Sequence, residues 1–442
     1  MRHRISVPEN SEPVNGSPNE INLIQLQPNT IMEEHPNPAS EAGGAPEKLS
    51  HFKLSLILGA LTAFGPLSID MYLPAFPHIA RDLAVPVGAV GFTLAAYLLG
   101  TSIGQLIYGP LADRHGRRKP LLAGCVIFGL GSLGCACSTS VAMLTGFRVV
   151  QALGGAAGMV IARAVVRDLF HEREAARMFA QLMLVMGICP VLAPTLGGQV
   201  LLLGNWRVIF YILIGFSVFC LFMSARFLPE TLPINRRVQG GAAQAARAFG
   251  SILRDRRFLL HSLAAGFGSG TLFAYISGSP FVFIQLHHVS EQRFGILFGL
   301  NAVGFISGAQ LNRWLLHRHP QRLILLRAAA AGMVAGIALL VCGATGLGGL
   351  PLLWMLLFAA LSSLGICGPN VAALALGPFG RNAGSASALL GTAQFFVGSL
   401  AGAAVGLFHN GTAIPMTTTV AVCCVGSYLA LKFHPSPPPL PG

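Results

Sequence analysis

Charge is what this sequence has least of. Only 10% of its residues are Asp, Glu, Lys or Arg, where an ordinary globular domain carries about 25%. With 53% hydrophobic residues and a mean hydropathy of +0.65, the chain has too little polar surface to cover a soluble fold. Acids are scarcer than bases, 16 against 29. That excess does not point to nucleic acid, because the cations sit in short stretches between apolar runs and no groove-reading motif accompanies them.

Other absences exclude whole classes of activity. No Gly-x-x-x-x-Gly-Lys-Ser/Thr loop is present, so ATP does not drive the protein through its own chain. No His-Glu-x-x-His, nucleophile elbow or catalytic acid–base pair appears, so an enzyme is not expected. The nine cysteines are an odd number, fall inside apolar runs and show neither zinc spacing nor a disulfide framework. They read as small packing residues. His287-His288 is a poor metal site, since adjacent side chains point different ways. No resident cofactor is expected.

What is there is a series of long apolar runs. From His51 onward twelve can be counted, at 53–75, 87–109, 119–138, 141–165, 177–202, 206–227, 258–284, 293–316, 322–343, 351–376, 383–408 and 413–433. Each has about the 20 residues that a bilayer demands of a helix. The fold class is therefore an all-α membrane protein with twelve transmembrane helices. Residues 1–50 are polar and hold seven of the 16 acids; such a segment buries too little apolar surface to order itself. Residues 51–227 form one six-helix unit, 228–257 an arginine-rich linker whose Ala-rich middle suits a surface helix, and 258–433 a second unit. Residues 434–442 are a proline-rich tail.

Cations accumulate on alternate loops: Arg114, Arg117, Arg118 and Lys119, then Arg167, Arg173 and Arg177, the linker arginines, Arg318, Arg322 and Arg381. That asymmetry puts both termini in the cytoplasm of a multi-pass inner-membrane protein. The densest of these stretches, Gly109 to Lys119, reads as a tight charged loop turning at the headgroups. A weaker copy begins at Gly308, with Asn312-Arg313 and a basic run ending at Arg322, so the two halves are pseudo-symmetric.

Few charges lie inside the spans, and a charge there normally faces a cavity or a partner. Asp70 lies in the outer part of the first span and Arg148 about two turns into the fourth, at comparable depth. Pairing across an inner cavity is the expectation, with an interfacial position as the alternative for each. Burial favours the protonated carboxyl and a nearby guanidinium the ionised one, a balance that lets a proton exchange. Aligning Pro280 with Pro74 puts Ile276 opposite Asp70, so the second half has no equivalent acid. Arg163 is either a bond to neighbouring helix ends or an orientation signal, while Glu291 and Glu230 read as surface residues. In the fifth span, Pro190, Pro194, Gly197 and Gly198 combine kinks with close packing. Aromatic and polar walls for a substrate are offered by Tyr72, Tyr97, Gln151, Phe273, Tyr275 and Phe395.

These residues resemble the major facilitator superfamily, and within it the bicyclomycin-resistance and chloramphenicol-efflux branch (Bcr/CflA). Gly109, Asp113, Arg114, Gly116, Arg117 and Arg118 match the superfamily's stretch between spans two and three. Arg148 to Gln151 with Gly154 is similar to the fourth-span motif, and Ala193-Pro194 to Gly198 to the fifth-span antiporter motif, though Ala193 stands where many members have glycine. Asp70 to Pro74, Arg163 to Asp168, and Pro369-Asn370 with Gly384 to Ala388 resemble the narrower branch. The resemblance implies two six-helix bundles around a central cavity, alternating access, and proton-driven export of small amphipathic drugs. Its partners are then the drug, protons and the lipid bilayer, and its energy source the proton gradient; a monomer is expected. It also implies that Asp113 and its arginines latch the cytoplasmic side, with the start of span eleven as the facing helix end. A proton-coupled metabolite transporter is the alternative.

Overall fold

The computed structural model describes residues 51–237 and 241–433; the two tails lie outside the described residues. Twelve helices are long and apolar enough to cross a membrane, and no strand occurs among the described residues. The first span is broken into α1 (His51–Asp70) and α2 (Phe76–Asp82), joined through a turn and a short 3-10 segment at Leu73–Ala75. The first half continues with α3 (Val87–His115), α4 (Arg118–Ala136), α5 (Val141–Leu169), α6 (Glu172–Val200) and α7 (Arg207–Phe227). The linker carries α8 (Gly241–Leu253), the surface helix expected of its Ala-rich middle. The second half comprises α9 (Arg256–Ser279), which runs into a π-helical segment at Pro280–Leu286, then α10 (Glu291–Leu315), α11 (Gln321–Thr345), α12 (Gly349–Leu376), α13 (Ala383–Leu407) and α14 (Ile414–Lys432).

Helix ends are set by ordinary capping chemistry. Ser140 and Ser290 accept from the backbone N–H of Met143 and Arg293, and Asp255 accepts from Arg257 and Phe258, satisfying donors that the first helical turn leaves open. Leu184, Leu192, Phe222, Val334 and Leu400 stay exposed, which a lipid environment accepts and water would not.

Within the first half α5 is central, packed on α1, α3 and α4; within the second, α9 packs on α13 and α14, and α12 on α10 and α11. Apolar tails exert no hydrophobic pressure between helices, so contact depends on close approach. Gly154 shows why: a Cβ there would stand 2.3 Å from the backbone nitrogen of Phe128. The halves meet along two seams, α3 against α13 and α6 against α10. Hydrogen bonds and a close contact follow the first seam. Ser399 donates to the Ala95 carbonyl at 2.7 Å, Ser102 to the Thr392 carbonyl at 3.0 Å, and Gln105 lies against Gly391.

The structure corrects one expectation of shape. Gly109 to Lys119 is not a loop: α3 carries on through Pro110 to His115, and only Gly116 and Arg117 turn before α4 begins. Hydropathy marks where a helix leaves the bilayer, not where its backbone hydrogen bonding stops. Gly116 makes the turn at φ +87, where a side chain is strained and would also strike the Glu230 carboxylate.

Candidate functional site

Asp70 is the last residue of α1, and the first span loses its helical path for the two residues after it. Its side chain is buried, with 3% of its surface exposed. No cation or hydrogen-bond donor among the described residues comes within bonding distance of it; burial alone acts on the carboxyl. It lies within electrostatic reach of Tyr97 on α3, Cys189 on α6 and Tyr275 on α9. These three residues come from both halves.

Arg148 is fully buried too, but it does not pair with Asp70. Its Nη1 donates to the Ser68 carbonyl at 3.1 Å and to Gln151 Oε1 at 2.7 Å. Its guanidinium lies over the rings of Tyr97 and Tyr72, at 4.3 and 4.6 Å. Gln151 passes the link on, its Nε2 donating to Ser132 Oγ at 2.8 Å. The expected ion pair is replaced by an aromatic cage, because two tyrosine faces and a carbonyl offer partial negative charge from helices that already pack there. Nε and Nη2 of Arg148 have no partner.

The six aromatic and polar candidates therefore divide. Tyr72, Tyr97 and Gln151 hold Arg148. Phe273 and Phe395 face each other at 5.7 Å, between α9 and α13. Tyr275 lies within electrostatic reach of Asp70 without touching Arg148. A cleft of about 510 Å³ at the far end of the first span is lined by Pro77, Ala80, Arg81 and their neighbours and by neither buried charge.

In α6 both prolines lie within a continuous helix, so they do not break it as the first span is broken. The glycines after them matter more. A Cβ on Gly197 would stand 2.2 Å from the Met71 carbonyl, and one on Gly198 3.1 Å from the Glu291 carbonyl. The α6 glycines thus let the helix touch both the break beside Asp70 and the start of α10 in the other half.

Sequence reasoning missed the group that closes this end. His78 Nε2 meets Glu291 Oε1 at 2.7 Å, joining α2 to α10, and Arg81 Nη2 approaches His78 Nδ1 at 3.4 Å. Glu291 had read as a surface acid and His78 carried no signal. A partner 213 residues away leaves no mark on local spacing.

At the opposite, basic end, Arg117 binds Asp168 at 2.8 Å and Asp113 at 2.6 Å. Burial works against the Arg117 charge, but those two carboxylates outweigh it and hold its pKa above the ordinary value. Glu230 accepts from the backbone N–H groups of Arg117, Arg118 and Leu232. Burial opposes its ionisation, yet these donors and Arg237 keep its carboxyl below the usual range. Arg118 donates to the Ala225 carbonyl. Asp113 is engaged with Arg117 in its own half, and Arg167 Nη1 lies 3.4 Å from where a Cβ on Gly384, at the start of α13, would be. Arg114 takes no part in these bonds. Arg163 donates to the Met159 carbonyl of its own helix rather than to a neighbour. In the pseudo-symmetric copy the corresponding contact is between two neutral amides, Asn370 Nδ2 on α12 donating to Asn312 Oδ1 on α10 at 2.6 Å.

Two six-helix halves meeting across a membrane-spanning seam, with an unpaired acid buried between them, define a membrane transporter rather than an enzyme. The chain belongs to the Major Facilitator Superfamily, whose family model matches residues 58–403. It is 39% identical to an uncharacterized MFS-type transporter of Bacillus subtilis, YdgK, over 85% of this chain and 94% of that protein. A bicyclomycin resistance protein homolog of Haemophilus influenzae is 31% identical over 88% and 97%. A solved D-xylose-proton symporter superposes with a TM-score of 0.68 at 14% identity, covering 87% of this chain and 97% of that one. The last likeness concerns the fold alone.

Proposed function

We propose that the protein exports small amphipathic compounds, bicyclomycin- or chloramphenicol-like antibiotics among them, in exchange for protons, by alternating access across the cytoplasmic membrane. In this reading the basic face is cytoplasmic, both termini lie there, the protein acts as a monomer and the proton gradient is its only energy source. The observation that carries it is Asp70: a buried carboxyl with no counter-ion, at a break in the first span, between the halves. An uncompensated carboxylate at that depth is costly. The group is therefore stable with a proton on its oxygen, or ionised against the positive charge or the O–H and N–H donors of a bound compound, but not empty and charged. Exchange follows from that alternation: arrival of a compound on one side displaces the proton, and reprotonation from the other side releases the compound.

Arg148 keeps a fixed positive charge near this path while its own bonds hold it in place. The His78–Glu291 bond closes the far side of the halves, and the Arg117 cluster braces the basic side. The drug-resistance names of the relatives favour a foreign amphiphile over a metabolite, including the chloramphenicol resistance protein of Pseudomonas aeruginosa, 31% identical over 64% of this chain. The test is purified protein in proteoliposomes holding a pH-sensitive dye. Addition of chloramphenicol should release protons in proportion to drug moved; drug movement indifferent to an imposed pH gradient would remove the antiport reading.

A further inference from the structure

Asn301 is an amide where the helix asks for hydrocarbon. On α10 it follows Phe294 and Phe298 at helical spacing, and all three are buried, Asn301 completely. This face looks toward α9, away from the Gly295 and Gly299 seam against α6. Its Nδ2 donates to the Tyr275 hydroxyl at 3.1 Å. Its Oδ1 is sealed from solvent and accepts nothing. Buried side-chain acceptors are seldom left unmet, and an exception asks for a ligand, an ion or a water. Turning the amide over would leave its NH2 half unmet instead, so either way one hydrogen-bonding position is unused.

The position of Tyr275 says where that unused capacity points. Its ring stacks on Phe298 with centroids 5.1 Å apart and planes 18° apart, which fixes the hydroxyl. It adjoins Ile276, the residue opposite Asp70 in the internal repeat, and lies within electrostatic reach of Asp70 itself. Just beyond it the seventh span leaves α-helical geometry at Pro280, as the first span does after Asp70. Each half thus departs from α-helical geometry close to this pair, by a turn and 3-10 segment after Asp70 and by a π-helical segment from Pro280. Interrupted helices at the repeat interface are where transporters build binding sites.

We propose that Asn301 and Tyr275 form a hydrogen-bonding subsite of the second half that takes a hydroxyl or amide group of the exported compound and sets specificity for it. A group that both donates and accepts satisfies either orientation of the amide, whereas a cation lacking N–H and O–H satisfies neither and engages only the carboxyl and the aromatic faces. This rests on the export reading above and adds the chemistry of the compound.

The test compares efflux of chloramphenicol, which carries hydroxyls and an amide N–H, with that of tetraphenylphosphonium, which has neither, in everted vesicles. Asn301→Leu keeps size and removes the polar pair. It should raise the chloramphenicol KM about tenfold, the worth of one buried hydrogen bond to a ligand, with the maximal rate and the phosphonium KM unchanged. Tyr275→Phe should shift the same KM by a smaller factor, and it keeps the test alive should the leucine variant fail to fold. Parallel loss for both compounds, or no KM change for chloramphenicol in either variant, overturns the proposal. If the unaltered protein moves only chloramphenicol, an unchanged maximal rate and melting temperature replace the phosphonium control. If it moves only phosphonium, the subsite falls while export stands; if it moves neither, the export reading falls and this one with it.

Discussion

Replacing Asp70 with Asn separates a coupling role from a structural one. The two side chains have nearly the same shape, so packing against α3, α6 and α9 is kept. Had Asp70 been half of a buried ion pair with Arg148, neutralising it would strand a charge and cost about 3–5 kcal/mol. The geometry says otherwise: Arg148 spends its Nη1 on Ser68 and Gln151 and its face on two tyrosines, and no donor meets the carboxyl. Asp70→Asn therefore removes no bond present in the fold, and stability should change by less than about 1 kcal/mol. Proton exchange should meanwhile vanish, since an amide neither gains nor loses a proton in this range. The assay is paired: thermal unfolding in detergent, and drug-driven acidification in proteoliposomes with drug uptake counted in parallel. A drop in stability of several kcal/mol would refute the geometric argument, and intact proton release would refute the functional one.

Four further outcomes follow from named contacts. Arg148→Lys loses the paired hydrogen bonds to Ser68 and Gln151 and weakens the contact with both rings, so stability should fall by about 3 kcal/mol, read as a lower melting temperature. Gly154→Val drives a side chain into the Phe128 backbone, 2.3 Å from its Cβ, and should cost about 3 kcal/mol by the same assay; an unchanged melting temperature would mean α4 and α5 can part freely. Glu230, whose carboxyl is held below the ordinary 4.5, contributes stability that is complete above that value and is lost as pH falls through its folded one. Glu230→Gln should then lower stability most at neutral pH and flatten the acid limb of a stability-against-pH curve, the two proteins converging as pH falls. His78→Ala removes the bond to Glu291, worth about 1 kcal/mol, so spin labels at Ala84 and Gln285 should report a several-fold larger population of separated far ends; an unchanged distance distribution would show that the glycine contacts alone hold them.

The twelve spans were legible in the sequence because a bilayer imposes one crude demand on every helix, length in apolar residues, and that demand is local. The likeness between halves was legible for the same reason, at Gly109 to Arg118 and again from Gly308, as was the oddity of Asp70 and Arg148, since a charge in an apolar run is conspicuous wherever it ends up. What each charge meets was not legible. Whether a guanidinium turns to a carboxyl or to two aromatic faces depends on the rotation of α3 and α5 about their axes, which hydropathy does not register in helices buried nearly all round. The His78–Glu291 bond, the approach of Gly197 to the Met71 carbonyl and the half-used amide of Asn301 all arise from helices distant in the chain. The sequence alone determined that this protein lives in a membrane, because solvent chemistry acts on each residue separately, and that it has two similar halves, because a motif recurs. Only the tertiary structure decided that Asp70 stands without a partner between them, because pairing is a property of neighbours in space.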